Sequence, residues 1–234
     1  MDIKDFLFSK YNEKLHIVYK IFGIKIKLRK DIKKDQTLDT PKLYPILLTD
    51  NEKQFLINTI SSGKNYLEFG SGGSTFLSLL ETKANAITSV ESDNDWLEYI
   101  KKWHLISTSI SQKRLTFKYI NIGKTGIVGK PINEDNKNMW PSYSKQVFEE
   151  QNDFDVVFID GRFRVACALQ TILNCKKDVK ILMHDYPIRP YYHCILEFLD
   201  IVDVIDTMCL FKIKENIDMN AVQKMWEEYK YIYE

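Results

Sequence analysis

Two acids and a cluster of glycines set the first chemistry open to this chain. The stretch Tyr66-Leu-Glu-Phe-Gly-Ser-Gly-Gly-Ser-Thr75 reads as an apolar strand, a glycine-rich turn and the start of a helix capped by Ser74 or Thr75. Glycines 70, 72 and 73 let the backbone turn tightly and approach a ligand closely. This is the layout of a nucleotide-type site in an open α/β sheet. Glu68 narrows the ligand. A carboxylate two residues before the first glycine sits badly beside a pyrophosphate, but it suits a positively charged group such as the amino group of S-adenosylmethionine (SAM). Glu91 lies 21 positions after Gly70, where an acid at the end of the next strand accepts both hydroxyl protons of a ribose. The dinucleotide spacing G-x-G-x-x-G is not completed, because Thr75 holds the third glycine position.

A second group of reactive residues lies further along. Asp160 follows the apolar run Val156–Ile159, and Asp185 closes the next strand pattern in Ile181-Leu-Met-His-Asp185. Ligands of open parallel sheets bind beyond the carboxyl ends of the strands, so both carboxylates emerge at one rim. They offer a general base for an acceptor hydroxyl, with His184 as a rival base. Equally, they offer ligands for Mg²⁺ or a similar hard cation. Arg162 and Arg164 come next; planar guanidinium groups grip carboxylate or phosphate, so one positions substrate and the other pairs with an acid. Residues 122–143 are too long and irregular for a plain connector and read as a lid or binding loop. Its Trp140, Tyr143 and Ser144 suit stacking on a sugar ring, or Trp140 anchors the loop to the core. Tyr186-Pro-Ile-Arg-Pro-Tyr-Tyr-His193 is stiffened by its prolines and offers Tyr186, Arg189, Tyr191, Tyr192 and His193 to the same acceptor.

These residues need a scaffold that puts strand ends side by side, and the hydrophobic pattern supplies one. Helix 48–60, capped by Thr49 or Asp50, is followed by strand 65–69, helix 74–83, strand 86–90, helix 93–110, strand 115–121, strand 154–159, helix 163–175, strand 179–183 and helix 190–200. Strands near 201–206 and 208–213 and a helix over 217–233 complete the chain. Alternating strands and helices mean a Rossmann-like, doubly wound, seven-stranded α/β sheet. The short link at Asp206-Thr207 makes the last two strands an antiparallel hairpin.

Length and charge bound the rest. The 234 residues carry a formal net charge of +1, which gives no global field for nucleic acid. The charge is uneven, with ten Lys/Arg against four Asp/Glu in residues 1–34. There Ile24, Ile26 and Leu28 alternate with Lys25, Lys27 and Arg29 as an edge strand entered through Gly23, either a solvated edge guarded by lysines or a basic surface for anionic lipid. The division is a basic N-terminal extension and linker, 1–45, and a catalytic domain, 46–234. The polar start and the absence of a membrane-length apolar run predict a cytoplasmic protein, peripheral to the inner membrane if the basic extension touches lipid. Cys167, Cys175, Cys194 and Cys209 have neither C-x-x-C nor zinc spacing.

Glu68-Phe-Gly-Ser-Gly-Gly73, Glu91, Asp155-Val-Val-Phe-Ile-Asp-Gly161 and Ile181-Leu-Met-His-Asp-Tyr186 together resemble class I SAM-dependent methyltransferases over roughly residues 48–214. Asn121-Ile-Gly-Lys-Thr-Gly126, Trp140-Pro-Ser-Tyr-Ser144 and Asp160-Gly-Arg-Phe-Arg164 resemble a bacterial subgroup of these enzymes. The Asp160-Gly and His184-Asp pairs are similar to the plant glucuronoxylan 4-O-methyltransferase group. The resemblance implies SAM as cofactor. Glu68, Phe69, Gly70, Ser71, Gly72 and Ser74 would hold its methionine part, Glu91 its ribose, and Ser92 and Ile122 its adenine. Asp160 would face the methyl group, and Asp160, His184 and Asp185 would be catalytic. Trp140, Tyr143, Arg162, Arg164, Tyr186 and Arg189 would meet a small-molecule or glycan acceptor. Metal-dependent O-methyltransferases place ligands at the equivalents of Asp160 and Asp185, with a third Asp or Asn where this chain has Tyr186. The expected activity is O-methylation of a sugar, glycan or activated sugar in bacterial surface polysaccharide synthesis. A methyltransferase of another small molecule, a NAD(P)-dependent oxidoreductase and a non-catalytic protein of the same fold are the alternatives.

Overall fold

The computed structural model describes residues 46–234 in full, and the backbone of three strands before them: β1 (Phe8–Glu13), β2 (His16–Ile21) and β3 (Ile24–Arg29). The chain divides into two units, Met1–Asp39 and Thr40–Glu234. In the first, β1, β2 and β3 form an antiparallel sheet, with Ile21 of β2 paired to Ile24 of β3. The alternation over 24–29 predicted that hairpin, whereas β1 was not anticipated. The side chains of this unit and residues 30–45 lie outside the described residues, and with them the expected basic lipid-facing surface.

The second unit is built on β4 (Asn65–Phe69), β5 (Ala86–Glu91), β6 (Leu115–Tyr119), β7 (Val156–Ile159), β8 (Lys180–Met183), β9 (Leu199–Ile205) and β10 (Met208–Ile213). Their order is β6-β5-β4-β7-β8-β10-β9, with β10 antiparallel to both neighbours and the other pairings parallel. The winding reverses between β4 and β7, so the crevice at their carboxyl ends is the topological switch point where such sheets take ligands.

Helices α1 (Asp50–Ile60), α2 (Gly73–Glu81), α3 (Asn94–Ile100), α4 (His104–Ser111), α5 (Pro141–Glu150), α6 (Arg164–Asn174) and α7 (Met219–Tyr229) cover the sheet. Alternation along β4 sorts the two faces. Leu67 and Phe69 pack with α5, α6 and α7, through Val147, Leu169 and Trp226. Tyr66 packs with α1 to α4, through Leu56, Leu77, Leu97 and Ile106. Glu68 shares the Tyr66 face, which puts a carboxylate under α2.

Three stretches differ from expectation. The helix read over 93–110 is two, α3 and α4, broken at Lys101–Trp103 without a glycine or proline. The irregular stretch 122–143 ends in a helix, α5, with Pro141 in the first turn, where its missing N–H costs nothing. Residues 190–197 form a 3₁₀ rather than an α-helix, and β9 begins at Leu199. Among the described residues no helix is long and apolar enough to cross a membrane.

Candidate active site

The glycine turn is held from below. Glu68 is fully buried, and its carboxylate accepts from Tyr66 Oη (3.1 Å), Ser74 Oγ (3.0 Å), Ser89 Oγ (2.7 Å) and the Thr75 hydroxyl. Burial pushes its pKa up to about 7, against the opposing pull of these four donors. Thr75 also accepts from the Gly72 N–H at 2.8 Å, tying the start of α2 to Glu68. The helix begins at Gly73, so Ser74 and Thr75 brace the turn from inside its first residues rather than capping it from outside. Above, Gly70 has φ +97° and donates its N–H to Val90 O at 2.9 Å. A Cβ on Gly70 would lie 2.8 Å from Gly161 Cα, and one on Gly161 would lie 2.2 Å from Tyr143 Oη and 2.9 Å from Gly70 N. Two backbones therefore touch at the switch point: the turn after β4 and the Asp160-Gly161 turn after β7.

Glu91 ends β5 with its carboxylate engaged by backbone N–H groups, from Ser92 (2.7 Å) and Asp93 (3.0 Å) on one oxygen and Ser71 (3.1 Å) on the other. Burial raises its pKa against these bonds. Ser71 is further fixed by Trp96, whose Nε1 donates to its carbonyl at 2.8 Å. Glu91 thus joins the glycine turn to the start of the next loop. Gly129, with φ +72°, lies over the pair, so that a Cβ on it would come 3.3 Å from Ser92 Oγ and 3.6 Å from Glu91 Oε1.

Asp160, His184 and Asp185 meet as predicted, at the ends of β7 and β8. His184 Nδ1 lies 2.9 Å from Asp160 Oδ1 and 3.8 Å from Asp185 Oδ1. Arg164, 3 % exposed, organises the group. Its Nε donates to Gly161 O (3.1 Å), its Nη1 to His184 O (2.5 Å) and Asp185 Oδ2 (3.3 Å), and its Nη2 to Asp160 O (3.1 Å) while pairing with Asp160 Oδ1 (3.1 Å). Arg189 adds a second cation, 3.0 Å from Asp185 Oδ2. On the far side of His184 stands Glu52, a buried residue of α1 that was not among the residues expected at the site. Its Oε2 is 3.7 Å from His184 Nε2. It closes a capping box with Thr49 and accepts from Thr207 N (2.9 Å) and Oγ1 (2.7 Å).

Several residues expected to touch ligand are placed elsewhere. Trp140 and Tyr143 are buried, each 1 % exposed. Trp140 donates to Ile122 O at 3.1 Å and meets Tyr233 edge-on, so it anchors the loop instead of stacking on a sugar. Tyr143 lies between Phe69 and Phe163, with its hydroxyl 3.4 Å from Arg162 N. Tyr186 is buried against His193 and Phe211. Arg164 is the structural arginine, and Arg162 is half-buried with its Nε inside the protein. Glu68, Phe69, Ser92 and Ile122, expected to meet cofactor, are buried. Ser71, Gly72 and Ser74 line the turn itself, while Arg189 and Tyr191 reach the rim, joined at 3.0 Å.

One ligand atom each of Asp160, His184 and Asp185 comes within 4.8 Å of the others. The donor set nevertheless does not fit a divalent cation. Asp160 Oδ1 already meets His184 and Arg164, Asp185 Oδ2 meets both arginines, and the third family ligand position holds the buried Tyr186. A guanidinium stands where a metal would neutralise the two acids, and no step below is routed through a metal.

No protein-family model and no curated protein matches the chain. Among solved structures it is similar to a methyltransferase-like protein from Silicibacter pomeroyi, at 27 % identity and a TM-score of 0.70, covering 83 % of this chain and 98 % of that one. A candidate O-methyltransferase from Klebsiella pneumoniae (16 %, TM-score 0.50, 74 % and 84 % covered) and cofactor-bound Rv0187 from MTB (15 %, TM-score 0.50, 75 % and 85 % covered) share the fold. The sheet order with its terminal antiparallel hairpin, the braced glycine turn and the acid ending β5 define the class: a Rossmann-like methyltransferase fold. The chain is methyltransferase-like in fold over the residues it shares with that 27 % identical protein.

Proposed function

We propose that the acceptor atom is a hydroxyl oxygen and that the acceptor is a sugar, a glycan or an activated sugar. The observation that carries the O-methyl reading is the position of Asp160. It lies beside the glycine turn, its N–H donating to Phe69 O at 3.0 Å, and its side chain keeps 30 % exposure while Ile159 and Arg164 are buried. Both His184 and Arg164 engage Oδ1, so Oδ2 points to the acceptor. The hydroxyl oxygen attacks the sulfonium methyl in line. An O–CH₃ bond forms, the S–CH₃ bond breaks to leave neutral S-adenosylhomocysteine, and the hydroxyl proton passes to Asp160 Oδ2. Holding the reactants at attack distance supplies most of the rate, about 7–11 kcal/mol of barrier, and proton acceptance adds about 10²–10⁴-fold.

The carbohydrate assignment is supported by the Asp160-Gly161 and His184-Asp185 motifs and by the polar rim of Arg162, Arg189 and Tyr191. Its setting in this proposal is surface polysaccharide synthesis in the cytoplasm, with the basic N-terminal unit near the membrane. The test is methyl transfer from labelled SAM to a panel of free sugars, uronosides and nucleotide sugars, using wild type and Asp160→Asn. Transfer by wild type and its loss in Asp160→Asn is the expected pair. Wild-type rates in Asp160→Asn would remove Asp160 from its role.

A further inference from the structure

His184 is enclosed by charge from every element packed against it. Asp160, after β7, faces Nδ1 at 2.9 Å; Asp185, the next residue, stands 3.8 Å from the same nitrogen; Glu52, from α1, faces Nε2 at 3.7 Å. From α6, Arg164 binds the His184 carbonyl and both aspartates, and Arg189 binds Asp185. Asp206, in the adjoining hairpin turn, is taken up by the Thr49 hydroxyl. Three carboxylates and two guanidiniums thus surround one imidazole, and the group is neutral only when the ring carries both protons. A neutral imidazole has one N–H and would leave a carboxylate facing a bare nitrogen lone pair in a largely buried site. Burial on its own would lower the pKa of His184, but the bond and charge of Asp160, then Asp185 and Glu52, raise it.

We propose that Glu52 is a positioning residue for methyl transfer: it holds His184 as an imidazolium whose Nδ1–H fixes Asp160 Oδ1 and turns Oδ2 toward the acceptor. The ring is then a permanent donor with no free nitrogen, which removes His184 as base and leaves Asp160. Glu52 suits the task because it cannot move: Thr49 N and both Thr207 groups grip its carboxylate, tying α1 to the β9–β10 turn. The assignment rests on the reading of Asp160 as the acid that faces the acceptor.

The test is nitrogen NMR of the full chain labelled at histidine, which has four such residues, with His184→Gln identifying the signal of interest. At pH 7 both ring nitrogens of His184 are expected to be protonated, with a midpoint above the ordinary 6.5. Glu52→Gln is expected to bring that midpoint down by about one pH unit, because it removes an opposite charge within reach of the ring. A neutral wild-type ring at pH 7, or a midpoint unmoved by Glu52→Gln, would overturn the proposal. The wild-type spectrum decides the charge state even where the variant does not fold. Calorimetric titration with S-adenosylhomocysteine on the same samples separates the two readings. Glu52→Gln is expected to bind within about twofold of wild type, since the sites do not touch. Failure of wild type to bind would overturn the cofactor assignment and leave the ring's charge to decide the role of Glu52.

Discussion

Arg164→Met removes the one side chain that ties β7, β8 and α6 together at the active-site rim. It leaves the carbonyls of Asp160, Gly161 and His184 without this donor and takes one partner from two carboxylates, Asp160, which keeps His184, and Asp185, which keeps Arg189. Breaking a buried pair by deleting one partner costs about 3–5 kcal/mol. Here the acids keep 30 % and 18 % side-chain exposure, so water takes up part of the loss and the lower end applies, about 3 kcal/mol. For a domain of this size that is roughly a 6–12 °C fall in Tm. Arg164→Lys keeps the charge but has three protons on a single nitrogen for five acceptors, and falls between the two. Adding Asp185→Asn to Arg164→Met removes a charge that has lost one of its two guanidinium partners, so the double variant is expected to lose about 1 kcal/mol less than the sum of the singles. Urea unfolding followed by far-UV circular dichroism checks all four proteins. Stability of Arg164→Met within about 0.5 kcal/mol of wild type, the scatter of an ordinary surface change, would refute the clamp.

Other predictions follow from the same contacts. Gly161→Ala forces a Cβ to within 2.2 Å of Tyr143 Oη and 2.9 Å of Gly70 N, with an expected cost of about 1–3 kcal/mol. Adding Tyr143→Phe relieves the first clash and recovers part of the stability in thermal melts. Glu68 has its folded pKa raised to about 7 from an ordinary 4.5, so the folded state holds a proton that the unfolded chain has released. Its stabilising effect is complete below about pH 4.5 and is lost as pH rises to about 7, on the order of 3 kcal/mol. The difference in urea stability between wild type and Glu68→Gln across that window measures it, and a flat difference would contradict it. Trp140→Phe leaves the Ile122 carbonyl without its donor at a cost of about 1 kcal/mol, read by denaturation.

What sequence could reveal followed from strand ends. Glu91, Asp160 and Asp185 each close an apolar run, and the switch-point rule puts such residues at the rim whatever surrounds them. Glycines 70 and 161 were readable as turns, but their mutual contact was not, because it joins residues far apart in the chain. The same distance hid Glu52, which spacing marks as an ordinary capping-box acid; only the fold brings it to His184. Arg162 and Arg164 are chemically identical in sequence, and burial alone separates the clamp from the rim residue. Trp140 suited both a sugar platform and a loop anchor, and the carbonyl of Ile122 settled it. The break between α3 and α4 carries no glycine or proline because packing of Trp103 against Phe76 and Tyr99, rather than local propensity, ends the first helix.

The identity of the cofactor rests on the turn that Glu68 braces and on Glu91 beyond it. Calorimetric titration of the full chain with S-adenosylhomocysteine and, separately, with NAD⁺ and NADP⁺ tests it. Saturable one-to-one binding of S-adenosylhomocysteine with no heat from either dinucleotide is the predicted result. Binding of a dinucleotide with none of S-adenosylhomocysteine would contradict the account.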